Sequence, residues 1–149
     1  MFELFHNIKA VAGRTGDTQG AAVSATVTGA IIDCAGYHTL TFLVIAGDND
    51  GNAFDGTNKL TFTVQEDDDS AMGAAAEIAA ADYIGAKDST GATWDRILDE
   101  AAGDNMVYQI GVRTNTHRYM RVLGTMAGTV SSFPLAIVAV LGSPRHAPV

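Results

Sequence analysis

Residues 59–66 read KLTFTVQE, and their polarity alternates with a period of two. Leu60, Phe62 and Val64 fall on one side of an extended chain and polar residues on the other, which is typical of a half-buried β-strand. The stretch 39–46, TLTFLVIA, nearly repeats this pattern but is apolar on both sides. We therefore expect the earlier strand to lie deeper in its sheet.

Other extended segments surround this pair of strands. They are predicted at 2–8, 23–28, 30–33, 106–113, 118–123 and 135–141. The intervening segment 47–58 is rich in Gly, Asp and Asn, which indicates a long hairpin loop. Two segments have helical character instead, because Ser70–Ala81 is rich in alanine and the apolar residues of Thr93–Ala102 recur at helical spacing.

The number and spacing of these segments predict the fold class. Seven or more strands, closely spaced turns and no alternation of helices with strands favour an all-β protein. We expect an antiparallel β-sandwich, jelly-roll-like, with one or two short helical insertions. A length of 149 residues fits a single domain over 1–149. Two prolines in 143–149 cannot donate to a sheet, so this segment is predicted to leave the sandwich as an extended arm that is dispensable for folding.

The composition limits the environment of the protein. Apolar residues make up 47% of the chain and charged residues only 17%. Since this is fewer charges than is usual for a soluble domain, we expect part of the surface to be neutral or covered by a partner. The single cysteine, Cys34, cannot form an internal disulfide, which favours assembly inside a cell. The longest apolar run, 135–141, is about a third of a membrane span, so we expect no membrane partner.

The charges are divided unevenly along the chain. Residues 48–104 contain 14 of the 17 acidic residues and three of the nine basic ones, whereas 105–149 contains four arginines and no acid. The net charge of −8 argues against direct binding of nucleic acid through a basic field. The split either orients contacts between molecules or reflects ordinary solvated faces.

Motifs of the common enzyme classes are absent from the sequence. It contains no G-x-S-x-G nucleophile elbow, no G-x-x-x-x-G-K-[ST] phosphate loop, no G-x-G-x-x-G fingerprint and no H-E-x-x-H pair. The histidines are too dispersed to predict a zinc site. They are His6, His38, His117 and His146. We expect no catalytic residue, no cofactor and no metal.

Two acidic stretches leave cation binding open as an alternative. The loop 48–52, DNDGN, is similar to the start of a calcium-binding loop, but Ala53 and Lys59 stand where that loop needs glycine and a bidentate glutamate. The run 66–69, EDDD, is either a solvated strand end or a cation site, and we favour the strand end.

The acid-free C-terminal third holds the candidate contact surface. On a strand, Tyr119 and Arg121 share one face and Arg118 lies on the other. Arg and Tyr are enriched where proteins meet, so these residues form either an interface or plain sheet surface. In the terminal arm, Pro144, Arg145 and Pro148 are further candidates for docking, with Arg145 offering a planar fork of donors to a carboxylate.

Four short motifs in residues 30–148 resemble small bacteriophage head proteins, most closely the capsid cement or decoration proteins of tailed phages. They are Gly36-Tyr37 leading into Leu40-Thr41-Phe42, the strand Lys59–Asp68 ending in Glu-Asp-Asp, Arg118-Tyr119 followed by Arg121-Val122, and Ala139–Gly142 followed by Pro144-Arg145 and Pro148. The Ala-rich 70–81 segment departs from the pattern. The resemblance implies a β-sandwich subunit that clamps neighbouring capsid proteins, with 118–121 on a strand and 145–149 at the subunit surface.

The resemblance thus implies a non-enzymatic virion protein that stabilises a capsid by bridging major capsid protein subunits of the same virus. It also implies a homo-oligomer, dimer or trimer, on the capsid surface, assembled in the cytoplasm of a host bacterium. A head–tail joint or tail protein is the first alternative. A carbohydrate- or calcium-binding β-sandwich module is the second.

Overall fold

The computed structural model describes residues 7–14, 22–23, 25–48, 54–99, 106–129 and 133–145. Regular structure in these ranges is almost entirely β-strand, with one short 3-10 helix at Ala80–Asp82. The strands in chain order are β1 (Ile8–Ala12), β2 (Ala22–Val23), β3 (Val27–Thr28), β4 (Ile32–Asp33), β5 (Tyr37–Ala46), β6 (Lys59–Asp67), β7 (Ala76–Glu77), β8 (Tyr83–Lys87), β9 (Ile97–Leu98), β10 (Met106–Arg113), β11 (Tyr119–Ala127) and β12 (Phe133–Pro144). No helix in the described part of the chain is long and apolar enough to cross a membrane.

The strands form two antiparallel sheets. Sheet I has the order β1-β12-β5-β10-β8, with β2 also paired to β12. Sheet II has the order β3-β11-β6-β7, with β4 also on β11 and β9 also on β6. Early strands lie beside late ones in both sheets, as in two interleaved Greek keys, which is jelly-roll topology. The predicted antiparallel β-sandwich is confirmed.

The core lies between the sheets and follows from the period-two patterns. In β5 the side chains of Leu40, Phe42 and Val44 are fully buried, and in β6 the same holds for Leu60, Phe62 and Val64. The long strands β10, β11 and β12 show the same alternation. As predicted, β5 is an inner strand, since it pairs with both β10 and β12.

The prediction that 39–46 and 59–66 form a hairpin is wrong. β5 lies in sheet I and β6 in sheet II, so the connection between them crosses from one sheet to the other. β10 and β11 are likewise in different sheets, and residues 114–118 bridge the end of the sandwich. Alternation specifies which face of each strand is buried, but not which strand it pairs with.

The two segments predicted to form helices, 70–81 and 93–102, do not form α-helices in the described residues. In 70–81 the structure has turns and the short strand β7, and only the final residues enter the 3-10 helix. In 93–99, Arg96 has a positive φ of 71°, which interrupts a helix, and Leu98 is buried where β9 pairs with β6. The burial of Leu98 and this pairing therefore override the helical spacing of the apolar residues. Residues 100–102 of the second segment lie outside the described residues.

Candidate protein–protein interface

Three segments meet at one end of the sandwich and enclose a shallow pocket. They are the turn 34–36, the bridge 114–118 and the end of β12 at Arg145, and the pocket has a volume of about 270 Å³. The turn is fixed locally, because the Asp33 carboxylate accepts a hydrogen bond from the Ala35 amide at 2.9 Å. Gly36 follows with a φ of 87°, a conformation that glycine adopts without strain.

Arg118 and Asp33 form a two-point ion pair beside this pocket. Arg118 Nε donates to Asp33 Oδ1 at 2.9 Å, and Nη2 donates to Oδ2 at 2.7 Å. This paired arrangement lowers the pKa of Asp33 to about 2 and raises the pKa of Arg118. Both side chains are about half exposed, so the pair forms part of the outer surface. The Arg118 guanidinium also lies 5.1 Å from the centre of the Tyr119 ring.

Tyr119 and Arg121 point outward from sheet II, as the alternation predicted. Their neighbour Met120 is fully buried on the opposite face of β11. Tyr119 lies between Asp33 of β4 and Asp67 of β6. Arg121 Nε donates a hydrogen bond to Oε1 of Gln65, on the neighbouring strand β6, at 2.9 Å. Strand alternation predicted Arg118 on the opposite face of β11, but Arg118 lies one residue before this strand, and its side chain is exposed. With Tyr119 and Arg121 it forms one continuous surface that begins at the pocket and extends along the outer face of sheet II.

Pro144 and Arg145 are attached to the sandwich, which corrects the predicted start of the arm. β12 runs through Pro144, which is paired with Tyr37. The Arg145 amide donates to the Gly36 carbonyl at 2.7 Å, and the guanidinium donates to the carbonyls of Tyr37 and Thr114 at 3.3 and 3.1 Å. Pro144 has no N–H to donate, and the next backbone hydrogen bond to this turn comes from the amide of Arg145. Pro148, with the rest of the predicted arm after Arg145, lies outside the described residues.

The structure thus brings Arg118 and Arg145 to the same pocket, although they are far apart in sequence. No sequence pattern indicated that they are neighbours. The link depends on the pairing of the end of β12 with the start of β5, which the sequence did not predict.

A buried carboxyl group close by was missed. Glu66 is only 8% exposed and faces the interior, whereas the sequence favoured a solvated strand end for 66–69. Glu66 Oε1 lies 3.9 Å from Nε2 of His117, and Oε2 accepts no hydrogen bond from the described residues. Burial raises the pKa of Glu66, an effect that His117 opposes and that Asp82 and Asp68 reinforce. The available signal was the alternation itself, which places Glu66 on the same face as Val64.

The other acids of this run stabilise the turn after β6. Asp67 accepts hydrogen bonds from the amides of Asp69 and Ala74, and Asp69 accepts one from Ala71. These amides lower the pKa of Asp67. The mutual repulsion of three carboxylates is offset by donors of the backbone, which accounts for the acidic sequence without a cation.

Trp94, Tyr108 and Tyr83, side chains of the kind that stack on sugars, are engaged within the fold. Trp94 packs on Tyr108 with ring centres 4.2 Å apart and donates its indole hydrogen bond to the Ile97 carbonyl. Arg96 covers the ring of Tyr83 at 3.9 Å. Residues 49–53 of the calcium-like loop lie outside the described residues. Elsewhere in the described ranges no three His, Cys, Asp or Glu side chains are grouped so as to hold a metal.

Comparisons with known proteins give a likeness of fold. No protein-family model and no curated protein sequence matches the chain. Among solved structures, the chain is similar to the SPBc2 prophage-derived protein YomS, with a TM-score of 0.50 and 8% sequence identity over 92% of this chain and 94% of that one. At this identity the likeness shows a shared fold over nearly the whole length of both chains.

Proposed function

We propose that this protein is a non-enzymatic structural component of a phage virion, which stabilises the capsid by bridging subunits of the major capsid protein. It would lie on the capsid surface after assembly in the cytoplasm of a host bacterium. The partners would be the major capsid protein and further copies of this chain.

The fold supports a phage origin. YomS, which is similar in structure over 92% of the length of this chain, is itself derived from a prophage. A jelly roll serves many functions, so the assignment to a virion also needs a surface suited to binding other proteins.

The observation that carries the proposal is that Arg145 lines the same pocket as Arg118, the residue at which the surface of Arg118, Tyr119 and Arg121 begins. Arg118 is held by Asp33, and the guanidinium of Arg145 is held by two carbonyls, so both side chains are ordered before a partner binds. Such ordering reduces the entropy lost in forming an interface. The partners described for Arg145 are neutral oxygens, which leaves its charge for a carboxylate on a capsid subunit.

The first experiment locates the protein in virus particles. Particles are banded on a density gradient, and each fraction is analysed by quantitative mass spectrometry for this chain and for the major capsid protein. We expect the chain to band with filled capsids at a copy number comparable to that of the capsid protein. A few copies per particle would favour the head–tail joint or tail instead, and absence from the particle fractions would contradict the proposal.

The second experiment tests the surface. Particles from a virus that lacks this gene are incubated with the purified protein, and binding is measured by cosedimentation. Arg145→Ala and Tyr119→Ala should each weaken binding at least about tenfold, or about 1.4 kcal/mol, which is more than truncation of most interface residues costs. Lys59→Ala is the matched control, because Lys59 is on the same sheet but about 27 Å along β6 from Asp67. Equal binding by all three variants would exclude this surface.

A further inference from the structure

The outer face of sheet I is unusually apolar for a sheet surface. The six strands of this sheet contain no acidic residue, and their basic residues are confined to the edge strands and the end of β10, at Lys9, Lys87 and Arg113. The residues that point away from the core are mostly aliphatic or small. On the inner strands they include Thr41, Leu43, Ile45, Val107, Gly111, Ala136, Val138 and Val140, and the polar exceptions besides Thr41 are Thr39 and Gln109.

The outer face of sheet II provides the contrast within the same molecule. Beside Tyr119 and Leu123, its long strands present mostly threonine, glutamine and charged side chains, among them Lys59, Gln65, Asp67 and Arg121. Antiparallel sheets in sandwiches usually expose a polar face of this kind. Sheet I does not, and large apolar side chains remain exposed on it, with Ile45 at 37% and Ile84 at 54%. A contiguous apolar patch of this extent is typical of a surface that is covered in the assembled state.

We infer that this face binds the same face of a second copy, so that two chains associate sheet to sheet around a two-fold axis. The inference rests on the part of the proposed function that expects several copies of the chain, and it assigns the surface and the symmetry. It does not require the capsid itself.

The area of the face is sufficient for such a dimer. Five strands spaced about 4.8 Å apart, averaging at least seven residues that each rise about 3.4 Å, give about 24 by 24 Å. Two copies would then bury about 1,100 Å² in total, slightly above the roughly 1,000 Å² expected of a specific interface.

The shape and the side-chain chemistry of this face are also suited to packing against a second copy. Gly111 and Gly142 present no side chain opposite Thr41 and Thr39, and the Cβ of Ile84 lies 3.5 Å from the position that a Cβ on Gly111 would occupy. Aliphatic side chains of two twisted sheets can interdigitate over such a surface. Packing against sheet II of a neighbour would instead bury Arg121 and Gln65 against aliphatic groups, which is unfavourable.

The net charge provides a distinctive test. Each chain carries −8, so two copies repel at long range while their apolar faces attract. Salt screens the repulsion, and self-association through this face should therefore strengthen between 50 and 500 mM NaCl, a range chosen to span the Debye lengths of about 14 and 4 Å. A contact between the acidic middle of one chain and the basic C-terminal third of another should weaken over the same range.

The experiment is sedimentation velocity on the full chain and on three variants. We expect a dimer of about twice 15.5 kDa that is favoured by salt. Val138→Glu, at the centre of the face, and Ile45→Glu, at its end, should each raise the dissociation constant at least about 100-fold, because each buries an unpaired charge. Thr125→Glu, an exposed outward position on sheet II, is the matched control and should leave the dimer intact.

Ile45→Glu keeps the test valid if Val138→Glu fails to fold, since Ile45 is already 37% exposed. A monomer at all concentrations, a closed trimer, or a dimer sensitive only to Thr125→Glu would overturn the inference. A salt-favoured dimer that never bands with virus particles would support the inference and contradict the proposed function, so the two failures are distinguishable.

Discussion

Oε1 of the nearly buried Glu66 lies 3.9 Å from Nε2 of His117, whose ring is 36% exposed at one end of the sandwich. Glu66 occupies a core-facing position of β6, in register with the buried Met120 of β11. Its second oxygen accepts no hydrogen bond from the described residues. A charge at this position is therefore only partly compensated.

The first prediction is that Glu66→Gln stabilises the protein at pH 8. Burial raises the pKa of Glu66 above 4.5. The contribution of this carboxyl group to the free energy of unfolding is therefore most favourable below pH 4.5, and it is lost as the pH rises through the raised pKa. Removing the charge should raise the melting temperature by about 3 °C, or about 1 kcal/mol. The advantage should shrink as the pH is lowered to 4.5. Thermal melts of both proteins between pH 4 and pH 8 measure this.

Asp67→Asn is the matched control, one position along the same strand. Backbone amides lower the pKa of Asp67 below its ordinary value of 3.8. Its stabilising contribution to the free energy of unfolding is therefore present above pH 3.8 and is lost as the pH falls through the lowered pKa. This variant should be destabilised at pH 8, the opposite sign to Glu66→Gln. If Glu66→Gln also melted lower at pH 8, the contact with His117 would outweigh the cost of burial.

The second prediction concerns the ionisation of Asp33. Its pKa is held at about 2, chiefly by the hydrogen bonds from Arg118. In Arg118→Ala the pKa should return toward the ordinary 3.8, as measured by carboxyl ¹³C chemical shifts in an NMR titration. The wild-type pair should contribute stability above pH 3.8 that is lost as the pH falls through about 2. Arg121→Ala, two residues along β11, should leave the titration of Asp33 unchanged, and an equal shift in both variants would contradict this account.

The third prediction tests a close approach between Gly29, just after β3, and the neighbouring strand β11. A Cβ on Gly29 would lie 2.7 Å from the carbonyl oxygen of Val122, which accepts a hydrogen bond from the Gly29 amide. Gly29→Ala should therefore destabilise the protein by about 2 kcal/mol in chemical denaturation. Gly73→Ala is the control, since a Cβ there meets nothing within 4 Å. Equal stability of the two variants would show that β11 can shift away from a Cβ at position 29 at little cost in free energy.

The sequence was sufficient to predict the class of fold but not its connections. Alternation in Lys59–Asp67 depends only on which face is buried, and this was predicted correctly for Leu60, Phe62 and Val64. The sheet that each strand joins depends on contacts with strands distant in the chain. The hairpin expected between β5 and β6 failed for this reason, because in a jelly roll such a connection crosses between sheets.

The candidate surface was predicted to a similar extent. The outward direction of Tyr119 and Arg121 follows from alternation and is confirmed. Two contacts could not be predicted in this way: Arg118 with Asp33, and Arg145 with Gly36. They depend on three segments, 34–36, 114–118 and the residues around Arg145, that come together only in the folded chain. For Glu66, the acidity of the run 66–69 was given more weight than the alternation, although the alternation indicated the burial correctly.

The last prediction is that the end of β12 contributes to folding, contrary to the expectation of a dispensable arm. Arg145 connects the turn at Gly36 to the bridge at Thr114 through one backbone and two side-chain hydrogen bonds. Arg145→Ala should lower the melting temperature by about 3 °C, corresponding to about 1 kcal/mol. Deletion of 143–149 should lower the melting temperature further, because it also removes the pairing of Pro144 with Tyr37.

Lys87→Ala, which removes an exposed cation from the edge strand β8, is the charge-matched control and should melt within about 1 °C of the wild type. If the truncated protein melted like the wild type, residues 143–145 would be an appendage to the sandwich, and any loss of capsid binding would then report the contact surface alone.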